Sequence, residues 1–513
     1  MLRYSFSGWE SVSMDCRLIA ELARRRDLLM EPAAADAVAA LDDEEARNLL
    51  DDAITKALEE NAFVVTEELV KQLIDERSME LKSSQPVAVK VEGYEPPAKS
   101  LNTRLKFHED HDVSDNSRCT GSLQDFISFF RNRFDRQKRL LRNLHTNLSV
   151  LGVREAKRLA ERERARIIGM VAEKRETKNG HVLVDLEDES GVVPCLFSKK
   201  NEGMLALAAR VMLDEVVAFD GLRWKDLFIV EGVEWPEIPL REPKKVDAGN
   251  GTMGFISDLH VGSKYFLGEE FARFLKFLNG EGDSAQAEAA GNIKYLLVAG
   301  DLVDGIGVYP NQEEQLITKD IYEQYEALTD LLTQVPEWIE LVVAPGNHDA
   351  VRTAEPQPRL PTEFVGELEK RRNIHLVGNP AYVEVAGLNV LMYHGTSADT
   401  WISSLQFLRN GYHNPEIVAE EMLRRRHLLP LYGEKPIVPE KKDYMVIDGV
   451  PDIFHFGHVH KNGYKNYRGT TIINSGTWQS TTDFQIRIGH EPSPCEFPLY
   501  DPETATLKVF NFK

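Results

Sequence analysis

Apolar side chains follow two different spacings along this chain. Between residues 14 and 80 they recur at helical spacing, which predicts a small helical domain over 1–82. Between 166 and 236 apolar and polar positions alternate instead, which predicts strands. The five predicted strands are Ile167–Lys174, His181–Glu187, Gly191–Phe197, Glu215–Gly221 and Leu227–Trp235.

The order of these strands indicates a small barrel. A short helix is predicted over Glu202–Ala209, and five strands with a helix after the third are typical of an oligonucleotide-binding (OB) fold. Such barrels bind nucleic acid when exposed aromatic rings stack on bases. Phe197 and Phe228 are candidates for that role, but both also fit the barrel core, so a barrel that contacts only protein stays open.

Two segments precede the barrel. Residues 83–122 contain Pro86, Pro96 and Pro97 without apolar periodicity, which predicts a flexible and exposed linker. Residues 126–144 follow as an amphipathic basic helix. We therefore expect a multidomain α+β protein. Its parts are a helical domain (1–82), a linker (83–122), the basic helix with the OB barrel (123–240) and a C-terminal α/β domain (241–513).

In the C-terminal part, five short apolar runs are typical of buried strands. They are Met253–Ser257, Tyr295–Ala299, Leu341–Pro345, Val390–Tyr393 and Asp452–Phe456. Each run is followed within a few residues by polar side chains, which are Asp258, His260, Asp301, Asn347, His348, His394, His458 and His460. The carboxyl ends of strands in α/β sheets gather functional loops at one edge. A single polar residue after a strand would usually be a cap or turn residue. Polar residues that follow all five predicted strands at the same end indicate one site.

Asp, Asn and His together are typical ligands for manganese, iron or zinc rather than for magnesium alone. The number of side chains is sufficient for two divalent ions, among which manganese is expected first, with zinc, iron or magnesium as alternatives. Two-metal sites hydrolyse phosphoesters, because the ions activate water and neutralise charge on the phosphate.

Composition and charge limit the function classes. At 513 residues, with 42% hydrophobic and 28% charged residues, the chain fits two to four globular domains. It lacks an apolar run that could span a bilayer and a signal-peptide pattern, so a cytoplasmic protein without membrane contact is expected. The four cysteines occur singly, which favours structural thiols: Cys16, Cys119, Cys195 and Cys495.

The net charge of −21 is unevenly distributed. Residues 131–166 contain twelve Lys or Arg and four Asp or Glu, a local charge of +8, which leaves −29 on the rest of the chain. Such a basic segment binds phosphate backbones or is a solvated helix face, and both interpretations stay open.

The five motifs, D-x-H, G-D, G-N-H-D, H and G-H-x-H, resemble those of the calcineurin-like metallophosphoesterase superfamily, which implies a metallophosphoesterase sandwich over 241–513. The resemblance implies that Asp258, His260 and His460 bind one ion and that Asn347, His394 and His458 bind the second. Asp301 would bridge both ions. His348 would act at the leaving group, with Asp304 as its partner. Protein phosphatases of this superfamily carry an Arg after the second motif, but Gly305 follows Asp304 here, which favours a nucleic-acid diester.

The domain order resembles the small-subunit family of archaeal family D DNA polymerases, which is related to the B-subunits of eukaryotic replicative polymerases. The stretches that carry this resemblance are 255–263, 301–307, 425–430, 432–433 and 474–479. It implies a 3′→5′ exonuclease for single-stranded or mismatched DNA 3′ ends, in a heterodimer with a large catalytic polymerase subunit. A sliding clamp is a further candidate partner.

Three alternatives stay open: a repair nuclease of the same superfamily, a phosphomonoesterase or cyclic-nucleotide phosphodiesterase, and a polymerase scaffold without catalysis. The repair nucleases normally begin with the phosphoesterase domain, whereas an OB barrel precedes it here. The insertion Leu405–Leu429, with Arg424, Arg425 and Arg426, is a candidate partner surface or simply covers the candidate site, and both interpretations stay open.

Overall fold

The computed structural model describes residues 16–24, 28–39, separate positions between 46 and 73, and 95–513. The chain divides into two compact units, Met1–Val89 and Lys90–Lys513. In the first unit, helices and two short parallel strands enclose a small apolar core that includes Ile19, Val38 and Val70. The elements described in it are α1 (Cys16–Arg24), β1 (Leu29–Met30), α2 (Pro32–Ala39) and β2 (Val64–Val65).

The second unit begins with a short edge strand and a long helix, followed by a closed barrel. The elements before the barrel strands are β3 (Leu105–Phe107), α3 (Leu123–Arg142), β4 (Val150–Leu151) and α4 (Val153–Ala156). The barrel itself consists of β5 (Arg164–Glu176), β6 (Val182–Asp188), β7 (Gly191–Phe197), α5 (Glu202–Arg210), β8 (Val216–Trp224) and β9 (Leu227–Glu234). Strands pair in the order β5-β6-β7-β9-β8, and β8 pairs back onto β5. The predicted five-stranded barrel, with its helix after the third strand, is confirmed.

Aromatic side chains fill the interior of this barrel. Phe197 and Phe228 are buried, and the Phe197 ring packs edge-on against Phe219 at 5.2 Å between centroids. Of the two interpretations that the sequence left open for Phe197 and Phe228, the structure therefore favours the core.

Two six-stranded sheets form the rest of the second unit. The first contains β10 (Thr252–Ile256), β11 (Ile293–Ala299), β12 (Glu340–Ala344), β13 (Ile374–Leu376), β19 (Glu496–Asp501) and β20 (Thr506–Asn511) in the order β13-β12-β11-β10-β19-β20. The second contains β14 (Ala381–Val385), β15 (Leu388–Tyr393), β16 (Ile453–Phe456), β17 (Asn462–Tyr467) and β18 (Thr470–Ser475), with β3 at its edge, in the order β17-β18-β16-β15-β14-β3. All five predicted strands of this part are present, with ends shifted by one or two residues.

The two sheets pack face to face, and helices cover their outer faces. One core contains residues of both sheets, among them Phe255, Leu297, Val390 and Ile473. Packed on the outer faces are α6 (Gly268–Leu278), α7 (Ser284–Gly291), α8 (Ile321–Leu332) and α9 (Thr362–Glu369) on the first sheet, and α10 (Ala398–Ser404) and α11 (Pro415–Arg425) on the second. Because both faces of β11 are covered, its seven residues are all buried, as is typical of parallel sheets.

The expectation of a flexible linker over 83–122 is wrong for 95–122, while 83–94 lies outside the described residues. Strand β3 pairs antiparallel with β14. The Asp112 carboxylate accepts a hydrogen bond from the Gly378 amide at 2.7 Å, and Val113 is buried. Three residues are too few to show an alternating pattern, so no periodicity in the sequence marks this strand.

Helix α3 connects the barrel with the second sheet. It lies along β5 and β8, and its Arg133 is 2% exposed and pairs with Asp443 at 2.7 Å. Arg136 binds Asp448 at 2.9 Å, whereas Arg139 and Arg142 are exposed. The basic segment is therefore divided between buried ion pairs and a solvated end.

The arginines of the insertion 405–429 face inward, which corrects their assignment as a partner surface. Arg425 and Glu215 form an ion pair at 2.6 Å, and each side chain is 1% exposed. Arg424 pairs with Glu237, and Arg426 donates to the Ile447 carbonyl oxygen. The pairs of Arg425 with Glu215 and of Arg424 with Glu237 join α11 to the segments next to β8 and β9 of the barrel. Throughout the described ranges, no helix combines the length and the apolarity that crossing a membrane requires.

Candidate metal centre

The polar residues that follow the predicted strands meet at one edge of the two sheets. Strands β10, β11 and β12 run parallel in the first sheet, and β15 and β16 run parallel in the second. The loops after their carboxyl ends therefore leave toward the same edge. Three overlapping groups form there, each with ligand atoms within 4.8 Å of one another: Asp258, His260 and His460; His260, Asp301 and His348; and Asp301, His394 and His458.

The first group brings two imidazoles and a carboxylate together. His260 Nε2 lies 3.0 Å from His460 Nε2, and His460 Nε2 lies 3.4 Å from Asp258 Oδ1. All three side chains are at least nine-tenths buried. Their donor atoms converge on one point, as the ligands of a cation do.

The group of Asp301, His394 and His458, with Asn347 beside it, lies on the other side of Asp301 and is the second outer group. His394 Nε2 is 3.2 Å from Asp301 Oδ2 and 3.1 Å from Asn347 Oδ1. The same Asp301 oxygen is 3.8 Å from His260 Nε2, which belongs to the first group. The Asp301 carboxylate therefore stands between the two groups.

Five of these residues have left-handed backbone, which is strained for side chains other than glycine. Their φ angles are 52° for Asp258, 55° for His260, 50° for Asp301, 70° for His458 and 54° for His460. Backbone hydrogen bonds fix this conformation: Asp258 N–H donates to Gly300 O at 2.9 Å, and His260 N–H donates to Asp301 O at 3.0 Å. Each such residue costs about 1–3 kcal/mol of conformational free energy. This conformation persists only where the surrounding structure enforces it, and it occurs mostly at functional sites.

Two glycines allow the loops to approach each other. Gly300 has a φ of +81°, and a Cβ there would lie 2.7 Å from the Gly346 backbone and from His394 Nδ1. A Cβ on Gly457 would lie 2.3 Å from Asp258 Oδ2. No larger residue fits at either position without moving a candidate ligand.

The buried carboxylates favour positive charge at this edge. Burial alone would raise the pKa of Asp301, but His394 and His348 lower it well below its usual value. Burial alone would lower the pKa of His394, but Asp301 and Asp258 raise it to about 10. The site therefore attracts cations, either protons or metal ions.

His260 and His394 are each held at Nδ1, while their Nε2 atoms face the other candidate ligands. His260 Nδ1 lies 3.1 Å from Asp304 Oδ1, and His394 Nδ1 donates to the Ala299 carbonyl at 2.9 Å. Ligand histidines of metal sites are normally oriented in this way. The Asp304 carboxylate therefore contacts His260, not His348 as the sequence predicted. His348 Nδ1 lies 2.7 Å from the Asp304 backbone carbonyl oxygen instead.

Two orienting residues were missed by the sequence analysis. Asp399 Oδ2 lies 3.1 Å from His458 Nε2, and Gln485 Nε2 lies 2.9 Å from His460 Nδ1. Asp399 lies five residues after His394, at the start of α10, and this closeness in sequence was the available signal. Gln485 stands on α12 (Asp483–Ile488), 25 residues after His460, and nothing in the local sequence indicates the contact.

Asp349, the last residue of the G-N-H-D motif, fixes the loops that carry Asp301 and Asn347. It accepts hydrogen bonds from the Gly346 amide at 2.7 Å and from the Leu302 amide at 3.2 Å. The Tyr325 hydroxyl donates to it at 3.1 Å. Burial, and then the charge of Asp301, raise the pKa of Asp349 to about 6. Asp349 therefore supports the site from below the cluster.

Comparison with known proteins places this arrangement in a family. Residues 253–463 match the model of the B-subunit family of DNA polymerases alpha and epsilon. The chain is 41% identical to the DNA polymerase II small subunit of Methanocaldococcus jannaschii, over 78% of this chain and 68% of the relative. The small subunit of Methanothermobacter thermautotrophicus is 35% identical over 87% of this chain and 90% of its own length. The small subunit of Archaeoglobus fulgidus is 39% identical over 78% and 79%.

Some solved structures match short parts of the chain. The asparaginyl-tRNA synthetase of Pyrococcus horikoshii, for example, matches 16% of this chain and 22% of its own, with 18% identity and a TM-score of 0.15. The family assignment rests instead on the curated relatives, which match most of both chains. The protein belongs to the family of archaeal DNA polymerase II small subunits, the small subunits of family D DNA polymerase.

Proposed function

We propose that this subunit is the 3′→5′ exonuclease of a heterodimeric replicative DNA polymerase, and that it hydrolyses phosphodiesters with two divalent ions on a calcineurin-like sandwich. The observation that carries the proposal is the position of Asp301 between two groups of buried ligands. A carboxylate shared by two cation sites is the arrangement that two-metal hydrolysis requires.

The donor set fits two ions. Asp258, His260 and His460 would hold one ion, and Asn347, His394 and His458 the other, with Asp301 between them. Mixed oxygen and nitrogen donors suit manganese, with zinc or iron as alternatives. When bound, two such ions supply a nucleophile at neutral pH and neutralise charge on the phosphate.

His348 would act on the leaving oxygen. Its Nδ1 is 2.7 Å from a carbonyl oxygen, which only accepts, so Nδ1 carries a hydrogen. Only the doubly protonated ring would also carry a hydrogen on Nε2 for the leaving oxygen to take. Nε2 lies 3.9 Å from Asp301 Oδ2. The His348 side chain is 14% exposed, whereas His394 is fully buried, which leaves room for substrate beside His348.

The substrate and the partner follow from the loop sequence and the family. The loop from Gly300 to Gly305 contains no arginine to grip a phosphomonoester, so a polymer held by many phosphates is favoured. The family name, small subunit, supports a large catalytic subunit as the partner.

A purely scaffolding subunit is the second candidate. It is disfavoured because five left-handed ligand residues would then store strain without serving packing or assembly.

The test is hydrolysis of 5′-labelled oligonucleotides by the native complex and by the isolated chain, with manganese present. We expect stepwise loss of nucleotides from the 3′ end, faster for single-stranded and mismatched ends than for paired ends, because unpairing costs least there. Asp301→Ala is the matched control, since it removes the shared carboxylate. Phosphoprotein cleaved as fast as DNA, or DNA cleaved equally by the Asp301 variant, would contradict the proposal.

A further inference from the structure

A lysine lies close to the second outer group of candidate ligands. Lys435 belongs to the segment between α11 and β16, and its Nζ lies 3.2 Å from Asp399 Oδ2. The same Asp399 oxygen lies 3.1 Å from Nε2 of the candidate ligand His458. A single carboxylate oxygen therefore separates the ammonium group from a candidate ligand.

Hydrogen bonds fix both sides of this contact. The Tyr412 hydroxyl donates to Asp399 Oδ1 at 3.0 Å, which holds the carboxylate in place. The segment that carries the lysine pairs with the loop after the G-N-H-D motif. In this pairing the Glu355 amide donates to the Pro436 carbonyl oxygen at 3.2 Å, and the Val438 amide donates to the Glu355 carbonyl oxygen at 2.9 Å. The backbone therefore sets the position of the lysine together with its ion pair.

The ammonium group of Lys435 can still bind a further acceptor. A lysine side chain has three N–H donors. Within residues 95–513, Asp399 is its one hydrogen-bond partner, and the Lys435 side chain is 29% exposed. Two donors therefore remain for a ligand that approaches the candidate centre from solvent.

Two other cations in the loops of this region are engaged elsewhere. Lys264 donates to the Glu314 carbonyl oxygen at 2.6 Å. Arg352 donates to the Pro356 carbonyl oxygen at 2.8 Å and pairs with Glu440 at 3.4 Å. Of the three cations, only the lysine beside Asp399 contacts a residue that itself touches a candidate ligand.

A stabilising role explains this ion pair poorly. The two side chains are 29% and 37% exposed, and pairs as exposed as this contribute little to stability, because water screens them and ordering a long side chain costs entropy. A partly exposed ammonium group instead suits the phosphates of a nucleic-acid strand, which bind lysine through charge. Since Asp399 stands between Lys435 and His458, the ammonium lies outside the ion position. This separation suits a phosphate next to the attacked one.

We propose that Lys435 binds the backbone phosphate next to the attacked one, and that this contact makes the site prefer a polynucleotide to a single phosphoester. The inference rests on the proposed exonuclease function and identifies a residue that binds its polymeric substrate. The loop from Gly300 to Gly305 contains no arginine, and Lys435 would supply a cation from another segment. Because a phosphate contact carries no sequence information, its effect should be the same for every terminal base.

The experiment combines an enzyme variant with a substrate variant in the native complex, with manganese present. Lys435→Met and the unaltered protein act on two single-stranded oligonucleotides, of which one has an uncharged methylphosphonate next to its 3′-terminal linkage. For release of the terminal nucleotide from the natural strand, the variant should lower kcat/KM about 10-fold, as for loss of one hydrogen bond to a charged group. On the methylphosphonate strand it should change kcat/KM less than about 2-fold, because the charge that it contacts is already absent.

Salt dependence and two further variants complete the design. The slope of log kcat/KM against log salt concentration should be shallower by about 0.7 for Lys435→Met on the natural strand, as for one lost phosphate contact. Lys435→Arg should keep most of the slope, since it keeps the charge. Lys441→Met is the matched control, because it removes the same charge from an exposed residue of the same segment. Metal content should be unchanged in all variants.

The outcomes separate the two proposals. If the unaltered complex releases no nucleotides, the exonuclease function itself fails, and the inference fails with it. If the complex is active but Lys435→Met loses equal activity on both strands, or loses none on either, the phosphate contact is wrong. Loss of bound metal in this variant would mean that Lys435 acts through Asp399 on His458, which also overturns the inference. Independently of any variant, the unaltered protein should itself cleave the methylphosphonate strand more slowly than the natural one.

Discussion

At the scale of single residues, the candidate centre combines strained backbone with buried side chains of opposite charge. Left-handed backbone at Asp258 and Asp301 aims both carboxylates at one point, and burial then brings them close to the imidazole of His394. Like charges held this close in a dry site need a cation between them. Removing a ligand should therefore affect metal binding much more than folding.

Asp301→Ala should abolish metal-dependent hydrolysis and reduce bound metal, because both ligand groups lose their shared carboxylate. His460→Ala should also abolish hydrolysis, but should leave the group around His394 intact and able to hold an ion. Metal content measured by mass spectrometry, with circular dichroism to verify folding, distinguishes the two variants. Near-normal manganese-dependent nuclease activity in Asp301→Ala would show that the two-ion assignment is wrong.

His348→Ala should lower turnover by about 10²–10⁴-fold while metal content stays nearly unchanged, since the proposed role of His348 is proton transfer. His348→Asn is a useful companion, because its amide can keep the contact with the Asp304 carbonyl without transferring a proton. The measurement is kcat together with metal content. Loss of one full equivalent of metal would make His348 a ligand and would contradict a role at the leaving group.

The sequence predicted most of this cluster, because the candidate ligands directly follow apolar strands. Asp258, Asp301 and His394 were identifiable from that rule alone. The orientation of side chains was less predictable. Asp304 was assigned to His348 by resemblance, yet its carboxylate binds His260, because the choice between two neighbouring rings depends on side-chain angles. Gln485 was missed since its contact spans a loop and a strand pair.

At the scale of elements, α3 shows why a basic segment is difficult to interpret from sequence. Arg133 and Arg139 belong to the same helix and the same basic segment, but Arg133 is buried against Asp443 whereas Arg139 is exposed. The barrel strands, of seven or more residues, were predicted because their alternation is long enough to detect, whereas β10, β11, β12 and β16 were predicted as continuous apolar runs. Strand β3, with three residues, was predicted as linker, since its pairing with β14 comes from a segment about 280 residues away.

Arg133→Met should lower the free energy of unfolding by about 3–5 kcal/mol, because it leaves the buried Asp443 carboxylate without its cation. Arg139→Met on the same helix is the matched control and should change stability by less than about 0.5 kcal/mol, since Arg139 has no ion pair among the described residues. Urea denaturation of both variants measures the difference. Equal stability of the two variants would show that the buried pair contributes nothing.

Acid should weaken the same region through His427. Its Nδ1 accepts from the Leu429 amide at 3.0 Å, and its Nε2 lies 3.0 Å from Asp443, so the folded ring is neutral. Burial, together with Arg133, lowers the pKa of His427 to about 4. Below about pH 6.5 the unfolded chain binds a proton that the folded chain excludes, so stability falls between about pH 6.5 and 4.

The measurement is the free energy of unfolding of the unaltered protein and of His427→Gln from pH 7.5 to 4.5. The variant should be less stable at pH 7.5, and the difference should narrow on acidification by up to about 1.4 kcal/mol per pH unit. A difference that stays constant or widens would mean that His427 is already charged in the folded protein.

At the scale of the whole molecule, the second unit joins a barrel and a two-sheet sandwich by buried ion pairs, of which Arg425–Glu215 and Arg133–Asp443 are the most enclosed. The chain carries a net charge of −21, of which residues 131–166 contribute +8, so the rest of the chain carries −29. This surplus of negative charge suits a partner of complementary charge.

We therefore expect the native protein to be isolated as a stable heterodimer with a larger polymerase subunit, in which this chain supplies hydrolysis. Size-exclusion chromatography with mass spectrometry of the affinity-purified native complex measures this. The Asp301→Ala chain is the matched control and should retain its partner, because the candidate centre lies at a loop edge and its loss should not affect assembly. If the variant forms the complex but the complex lacks nuclease activity, assembly and hydrolysis are separate properties of this subunit. A chain recovered only as a monomer or homodimer, with no polymerase attached, would instead favour a repair nuclease that acts alone.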